Sequence, residues 1–302
     1  MNIIMTHLTK VYSGGVHALN NLSLTIPTGM FGLLGPNGAG KTTVMRLLAG
    51  VLRPTSGTIQ VGEFDGMTEG GRTAIKRLLG YVPQDLGMYP DLSAHEFLDY
   101  IGLLKGLDNR KQRHLRVEEL LEIVSLNDVA HRKMKTFSGG MKRRIGIAQA
   151  LLNQPQFLIV DEPTAGLDPE ERIRFRNLLC ELGENRTILL STHIVEDIAQ
   201  TCQNIAVMKS GSEVFQGTIA QLLQQTDGKV WTIATGGPKP HGNFTVVSTL
   251  NVGSTLRYRI VGEIPSDTSA TPAEPTLEDG YVWLMSTQSP STKAGEKHTT
   301  RG

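Results

Sequence analysis

GPNGAGKT, Gly35–Thr42, follows the short apolar run Met30–Leu34 and leads into Thr42–Gly50, where Val44, Leu47 and Leu48 recur at helical spacing and Gly50 is a stop signal. The order is strand, glycine-rich loop, helix. The spacing Gly-x-x-x-x-Gly-Lys-Thr in that context is the pattern of a loop that wraps phosphate. Gly35, Gly38 and Gly40 let the backbone come close to phosphate oxygens, so Gly35, Pro36, Asn37, Gly38, Ala39 and Gly40 surround the anion while the helix points its positive end at it. Lys41 would bridge the outer phosphates, the Thr42 hydroxyl would ligate Mg²⁺, and Thr43 closes the segment that holds the nucleotide.

FLIVDE, Phe157–Glu162, is an apolar strand ending on two acids, where an α/β sheet presents ligating groups at its carboxyl edge. Asp161 is the candidate for the Mg²⁺ shell, and Glu162 for orienting or deprotonating a water that attacks the terminal phosphate. The same acids would also suit a helix start before Pro163. Together with the phosphate loop they describe a P-loop nucleoside triphosphatase. FSGGM, Phe137–Met141, then opens the helix MKRRIGIAQALL, so a serine and two glycines stand where a helix N-terminus cradles an anion. One nucleotide does not need two cradles in one chain. The economical reading is a dimer in which each second cradle closes over nucleotide held by the partner.

Around these segments, GTIQV (57–61), LLGYV (78–82), TILLST (187–192) and NIAVM (204–208) read as further strands, and their alternation with helices implies a mainly parallel sheet. The opening runs NIIMTHLTKVY and LNNLSLTIP are β-rich and separated by a turn at Ser13–Gly15. Ser93 with Glu96 is a capping-box opening to a helix with Phe97, Ile101 and Leu104 on one face, and a second helix spans about Arg110 to Ser125. A helix is expected at Thr218–Gln225, three short strands within 229–264, and a last helix at Thr276–Met285 with Glu278 and Asp279 near its N-terminus. The expected organisation is a nucleotide-binding domain at 1–225 with a helical insert at about 86–150, a small accessory module at 226–285, and a polar, disordered tail at 286–302.

The length of 302 residues allows about two domains. Thirty Lys and Arg against 29 Asp and Glu leave a net charge of +1, which argues against a dedicated polyanion binder. At 39% hydrophobic and 20% charged residues, the chain lies outside the compositional regime of disorder. It carries no run of about 18 apolar residues and no secretory leader pattern, and Cys180 and Cys202 have neither metal nor disulfide spacing. Those features read as a soluble, cytosolic chain with reduced thiols.

In order along the chain come Tyr12 before the phosphate loop, the loop itself, Gln84 in YVPQ, FSGGM, the acidic strand, AGLD (Ala165–Asp168) and His193 in STHIVED. Ser138 lies 23 residues before Asp161. Over roughly residues 3–225 this series closely resembles the nucleotide-binding subunit of ATP-binding cassette (ABC) transporters. The resemblance implies a P-loop α/β core with a mainly parallel sheet, an antiparallel β subdomain and a helical insert. It also implies roles. Tyr12 would stack on the adenine of ATP, although a strand aromatic in the core fits it too. Gln84 would touch Mg²⁺ and the attacking water and relay nucleotide state to the helical insert. Ser138, Gly139 and Gly140 would bind the γ-phosphate across the dimer, and His193 would contact that phosphate and steady the water. Asp168 would link the two sites and equally suits a helix N-cap before Pro169. Met141 stands where the family carries glutamine; of the cations after it, Lys142 and Arg143 are expected on a solvated helix face.

The implied function is that of an ATP-binding and hydrolysing subunit that powers transport through a separate membrane-spanning permease. The permease would dock beside Gln84 in a groove along Gly87–Leu98, with Met88 and Tyr89 exposed. A second copy of the chain, or a homologous ATPase, would complete the dimer, and the assembly would sit at the cytoplasmic face of the cell membrane. The short C-terminal extension resembles those of bacterial exporters, so export is the expected direction. The alternative is a soluble ABC ATPase acting on nucleic acid or ribosomes. Only 96 positions separate Thr42 from Ser138, which leaves no space for the long coiled coil of chromosome and repair relatives, and one chain holds one cassette where ribosome-acting relatives carry two. No nucleic-acid partner is expected, and substrate choice should reside in the permease.

Overall fold

The strand that feeds the phosphate loop is an interior member of a six-stranded sheet. The computed structural model describes residues 1–263 and 270–287. In chain order the first elements are β1 (Ile3–Val11), β2 (His17–Ile26), β3 (Gly29–Leu34), α1 (Lys41–Leu48), β4 (Ser56–Val61), β5 (Phe64–Asp65), α2 (Glu69–Leu78) and β6 (Leu79–Val82). There follow α3 (Ala94–Leu104), α4 (Arg110–Ile123), α5 (Gly139–Leu151), β7 (Phe157–Asp161), α6 (Pro169–Gly183), β8 (Thr187–Ser191), α7 (Val195–Thr201), β9 (Asn204–Lys209) and β10 (Ser212–Thr218). The last elements are α8 (Ile219–Thr226), β11 (Val230–Thr235), β12 (Phe244–Val252), β13 (Thr255–Gly262), β14 (Ala270–Pro272) and α9 (Leu277–Thr287).

The large sheet runs β10-β9-β3-β8-β7-β6, parallel throughout except for β10 at one edge. Every residue of β7 and of β8 is buried, as continuous apolar strands are when both sheet faces are covered. Register pairs Val82 with Val160, Asp161 with Ser191 and Leu33 with Ser191. The carboxyl ends of β6, β7, β8 and β3 therefore finish level, and the loops that follow them share one rim.

A second, antiparallel sheet runs β2-β1-β4-β5. GTIQV belongs here, paired with β1, and takes no part in the parallel sheet. Leu24, Ile26, Phe31, Val44, Ile59 and Phe157 join both sheets and α1 in one core. Fully burying each such side chain contributes roughly 1.5–3 kcal/mol. The helices of the insert start as their caps dictate: the Ser93 hydroxyl accepts from the Glu96 N–H at 3.2 Å, and the Glu96 carboxylate accepts from the Ser93 N–H at 2.8 Å. Phe97 is buried on α3, whereas Leu104, two turns on along the same side and the last residue of the helix, is 65% exposed. Helix α2 and strands β10 and β14 add to the elements legible in the sequence. Among the described residues no helix is long and apolar enough to cross a membrane.

The chain separates into two units between Ile219 and Ala220. In the second unit a four-stranded antiparallel sheet runs β12-β13-β11-β14, with a small core at Ile233, Tyr258 and Ile260. Helix α9 extends through Thr287, so Ser286 and Thr287 are helical; the remainder of the expected tail, 288–302, lies outside the described residues. Asp279 is fully buried near the start of α9. Its carboxylate accepts from Arg259 Nη2 at 2.6 Å and Nε at 2.8 Å, and from the Thr276 N–H and hydroxyl, each at 2.7 Å. Burial pushes this carboxyl up, and the Arg259 and Thr276 hydrogen bonds more than reverse that, holding it below the usual aspartate range. A carboxyl lowered by folding stabilises above its unfolded value near 3.9 and loses that contribution as pH falls through its folded value. Both tryptophans, Trp231 and Trp283, lie in this unit. Tryptophan fluorescence followed through acid titration should therefore show an unfolding step below about pH 4 that Asp279→Asn flattens, while lowering stability at neutral pH. An identical acid profile for both proteins would assign the step to other groups.

Candidate functional site

The level carboxyl ends of the parallel strands enclose a cleft of about 440 Å³. Its wall is the phosphate loop from Asn37 to Thr43, facing Gln84, Glu162 and His193, with Tyr12 at one side. Gln84 comes two residues after β6, Glu162 one after β7, and His193 two after β8. The loop bends as its glycines require. Gly38 and Gly40 have φ of +83° and +103°, and a Cβ on Gly40 would lie 2.7 Å from the Ala18 carbonyl oxygen. Gly40 is the N-cap of α1 with no side-chain cap, so the first N–H groups of that helix face the cleft without a capping side chain.

Lys41 is 6% exposed, and its ammonium donates to the carbonyls of Gly35 at 2.7 Å and Pro36 at 3.2 Å. Burial lowers its pKa, and the charges of Glu162 and Asp161 oppose that shift. Beneath the cleft Asp161 is 2% exposed; burial and the neighbouring Glu162 charge push its carboxyl above the usual range. Its Oδ1 is buried without a hydrogen-bond partner. Glu162 has a left-handed backbone, φ +48°, with its N–H on the Ser191 carbonyl at 2.8 Å. That twist takes its side chain out of the strand's alternation and up to His193, whose Nδ1 lies 2.5 Å from Glu162 Oε2. Tyr12 places its hydroxyl 3.4 Å from the Thr43 hydroxyl.

The structure does not bring every sequence candidate into this cleft. Ser138, Gly139, Gly140 and Asp168 are absent from its lining, and Gly35, Pro36 and Asp161 lie behind it. Ser138 caps α5 by accepting from the Met141 N–H at 3.2 Å, and exposed Gly139 follows. Gly140 is buried against Glu171: a Cβ there would come within 2.2 Å of Glu171 Oε2. Asp168 caps α6, accepting from the Glu171 N–H at 2.9 Å.

Arg143 departs from the solvated position expected of it. Its Nη1 donates to the backbone carbonyls of Pro83, at 3.5 Å, and Gln84, and burial lowers its pKa. The helix that begins at Ser138 thus holds the loop that carries Gln84. A second group not marked by any motif lies behind Glu162. Thr164 Oγ1 donates to Asp197 Oδ2 at 2.5 Å, and Arg176 Nη1 to Asp197 Oδ1 at 3.3 Å, with all three residues buried.

Two residues of the cleft lining, with Asp161 next to Glu162, form a donor set that suits a hard divalent cation. A hydroxyl (Thr42), an amide (Gln84) and a carboxylate with an unpartnered buried oxygen (Asp161) are oxygen ligands of the kind Mg²⁺ prefers.

Comparison with known proteins agrees with this geometry. The family described as ABC transporter matches residues 19–165. The linearmycin resistance ATP-binding protein LnrL of Bacillus subtilis (strain 168) is 38% identical over 225 residues, 74% of this chain and 71% of that protein. The Nod factor export ATP-binding protein I of Cupriavidus metallidurans is 39% identical over 227 residues, 74% of this chain and 73% of that protein. Among solved structures, the dimeric post-hydrolysis state of the ATP-binding cassette MJ0796 bound to ADP and Pi is similar with a TM-score of 0.65 and 27% identity, over 72% of this chain and 98% of that one. A P-loop cleft at the rim of a parallel sheet, and sequence identity along most of both chains, lead to one conclusion: this chain belongs to the ABC transporter family, as an ATP-binding and ATP-hydrolysing subunit.

Proposed function

We propose that this subunit drives export, working as a head-to-tail dimer on the cytoplasmic face of a membrane-spanning permease. The observation that carries the dimer is the division of the phosphate-binding elements: the phosphate loop, Glu162 and His193 share one cleft, while the Ser138–Gly140 cradle stands outside it. Closure of two copies would set each cradle over the γ-phosphate in the other's cleft, with Asp168 between the sites. The dimeric state of the similar cassette supports this arrangement.

Within the cleft, Tyr12 packs on the adenine, the α1 N–H groups hold phosphate oxygens, and Lys41 exchanges its loop carbonyls for the outer phosphates. Thr42, Asp161 and Gln84 would hold Mg²⁺, which would supply positive charge to the phosphates. Glu162 takes a proton from the attacking water. With Glu162 as acceptor, His193 Nδ1 carries the hydrogen, and this bond holds the carboxylate in the cleft opposite the phosphate loop. Arg143 ties the Gln84 loop to the cradle helix, so a shift of Gln84 is felt at the helix that would cap the partner's nucleotide.

The roles by which the relatives are named, linearmycin resistance and Nod factor export, support outward transport. The permease surface is proposed at the start of the insert. Tyr89 is 51% exposed and stands edge-on to Tyr100 at 5.7 Å between centroids, and Leu103 and Leu104, three and four residues after Tyr100 on α3, are exposed as well. Affinity capture from detergent-solubilised native membranes should recover a multi-span protein with the wild type. Tyr89→Asp should lose that protein and keep its basal ATPase rate. Recovery of ribosomes or DNA without a membrane protein would instead place the same ATPase in a soluble process.

A further inference from the structure

His95 near the start of α3 meets His114 and Glu118, one turn apart on α4, across the helical insert. Nε2 of His95 lies 3.2 Å from His114 Nδ1 and 3.2 Å from Glu118 Oε1. One ligand atom from each residue lies within 4.8 Å of the other two. The i, i+4 spacing on α4 puts both of its residues on one face. His95 is held from two sides: its N–H donates to the Ala130 carbonyl at 2.9 Å, and the His131 ring stacks on its imidazole with centroids 5.5 Å apart. The nearby carboxylates are otherwise engaged, Glu96 by the Ser93 cap and Asp99 by Arg113.

Nε2 of His95 has at most one hydrogen to offer, yet it faces two acceptor-capable atoms at equal distance. The three atoms are better described as electron-pair donors around one point. Zinc bonds to imidazole nitrogen and carboxylate oxygen are about 2.0–2.2 Å long, which separates the corners of a tetrahedron by about 3.3–3.6 Å. Two of the three separations here already come within a few tenths of an ångström of that value. The third needs only a rotamer adjustment of Glu118, whose side chain is 48% exposed. The fourth corner opens on a cleft of about 540 Å³ beside Asp99 and Lys111, where water can complete the shell.

We propose that His95, His114 and Glu118 form a binding site for a divalent transition-metal ion of the zinc class, which clasps α3 to α4. Two imidazoles and a carboxylate favour such an ion over Mg²⁺ or Ca²⁺. The site is separate from the nucleotide cleft, since none of its three residues lines that cleft. Metal binding would pin α3, the helix that presents Tyr100 and supports Tyr89, and so stiffen the surface of the insert.

The test uses the full chain with its affinity tag removed, without nucleotide or magnesium, titrated with zinc(II) against a chromophoric chelator and, separately, with cobalt(II). The wild type should bind one equivalent of zinc more than a His114→Ala/Glu118→Gln double variant. Each single substitution should weaken that equivalent by about tenfold or more. Cobalt(II) should give the intense visible bands of a tetrahedral site in the wild type alone. His114 and Glu118 are exposed, so the double variant should keep its thermal midpoint and its zinc-free ATPase rate. Equal zinc stoichiometry and affinity in the wild type and the folded double variant would overturn the proposal and leave a hydrogen-bonded histidine cluster.

Discussion

Glu162→Gln is expected to lower the steady-state ATPase rate by about 10²- to 10⁴-fold while ATP still binds. An amide cannot take the proton of the attacking water, but it is nearly isosteric with the carboxylate and keeps an oxygen for His193 Nδ1. The residues proposed to hold phosphate and metal, Lys41, Thr42 and Asp161, are untouched. The change should thus appear in kcat and hardly in ATP affinity. Because hydrolysis is what reopens the proposed dimer, the variant should elute on size exclusion as an ATP-bound dimer at saturating Mg-ATP. A monomer under those conditions would contradict the shared-site arrangement, and a near-normal rate would remove Glu162 from the role of base. The glutamine also removes one of the charges that raise the Asp161 carboxyl, so that group should titrate lower in the variant.

Asp197→Ala is expected to be the most destabilising single change in the first unit. Asp197 is 1% exposed and is the carboxylate partner of Arg176, itself 9% exposed, and of Thr164. Removing one member of a buried ion pair leaves the other charged and unsolvated, at a cost of about 3–5 kcal/mol. For a unit of this size that lowers the thermal midpoint by roughly 6–20 °C. The double variant Asp197→Leu/Arg176→Met, which removes both charges, should recover much of the loss. If single and double variants are equally unstable, lost packing and not the stranded guanidinium is the cause. Thr164 lies two residues after Glu162, so the single variant should lose activity even below its melting temperature, whereas damage remote from the site would spare it.

The fold is most legible in the sequence where a local pattern has one physical solution. The spacing Gly-x-x-x-x-Gly-Lys-Thr between an apolar strand and a helix specifies a tight glycine turn, and Gly40 shows why: its φ of +103° and the carbonyl of Ala18 at 2.7 Å exclude a side chain. The Ser93–Glu96 capping box was equally legible, because both of its hydrogen bonds form within four residues. Helix α2 was not legible: Gly70 and Gly71 weaken its propensity, and what supports it is the Thr68 cap and the approach of Gly71 to the Asp65 carbonyl. GTIQV has the alternation of any half-buried strand, and that alternation does not say which neighbour will pair with it.

Arg143 and Asp197 mark the same boundary inside the site. In sequence Arg143 is one cation of three at the start of a helix, and Asp197 one acid in a short polar helix. Their roles depend on Gln84 and Arg176, 59 and 21 residues away. The sequence by itself determined which loop carries the phosphate-binding pattern, which strand ends in acids, and that a second serine-glycine segment opens a helix. Short-range backbone geometry enforces those features, so they survive in a string of letters. Only the tertiary structure decided which strand ends stand level on one rim, that a left-handed turn lifts Glu162 to His193, that Arg143 grips the Gln84 loop, and that three side chains from two helices converge at His95. Each of those depends on sheet register or helix packing, where the partner's distance along the chain carries no signal of its distance in space.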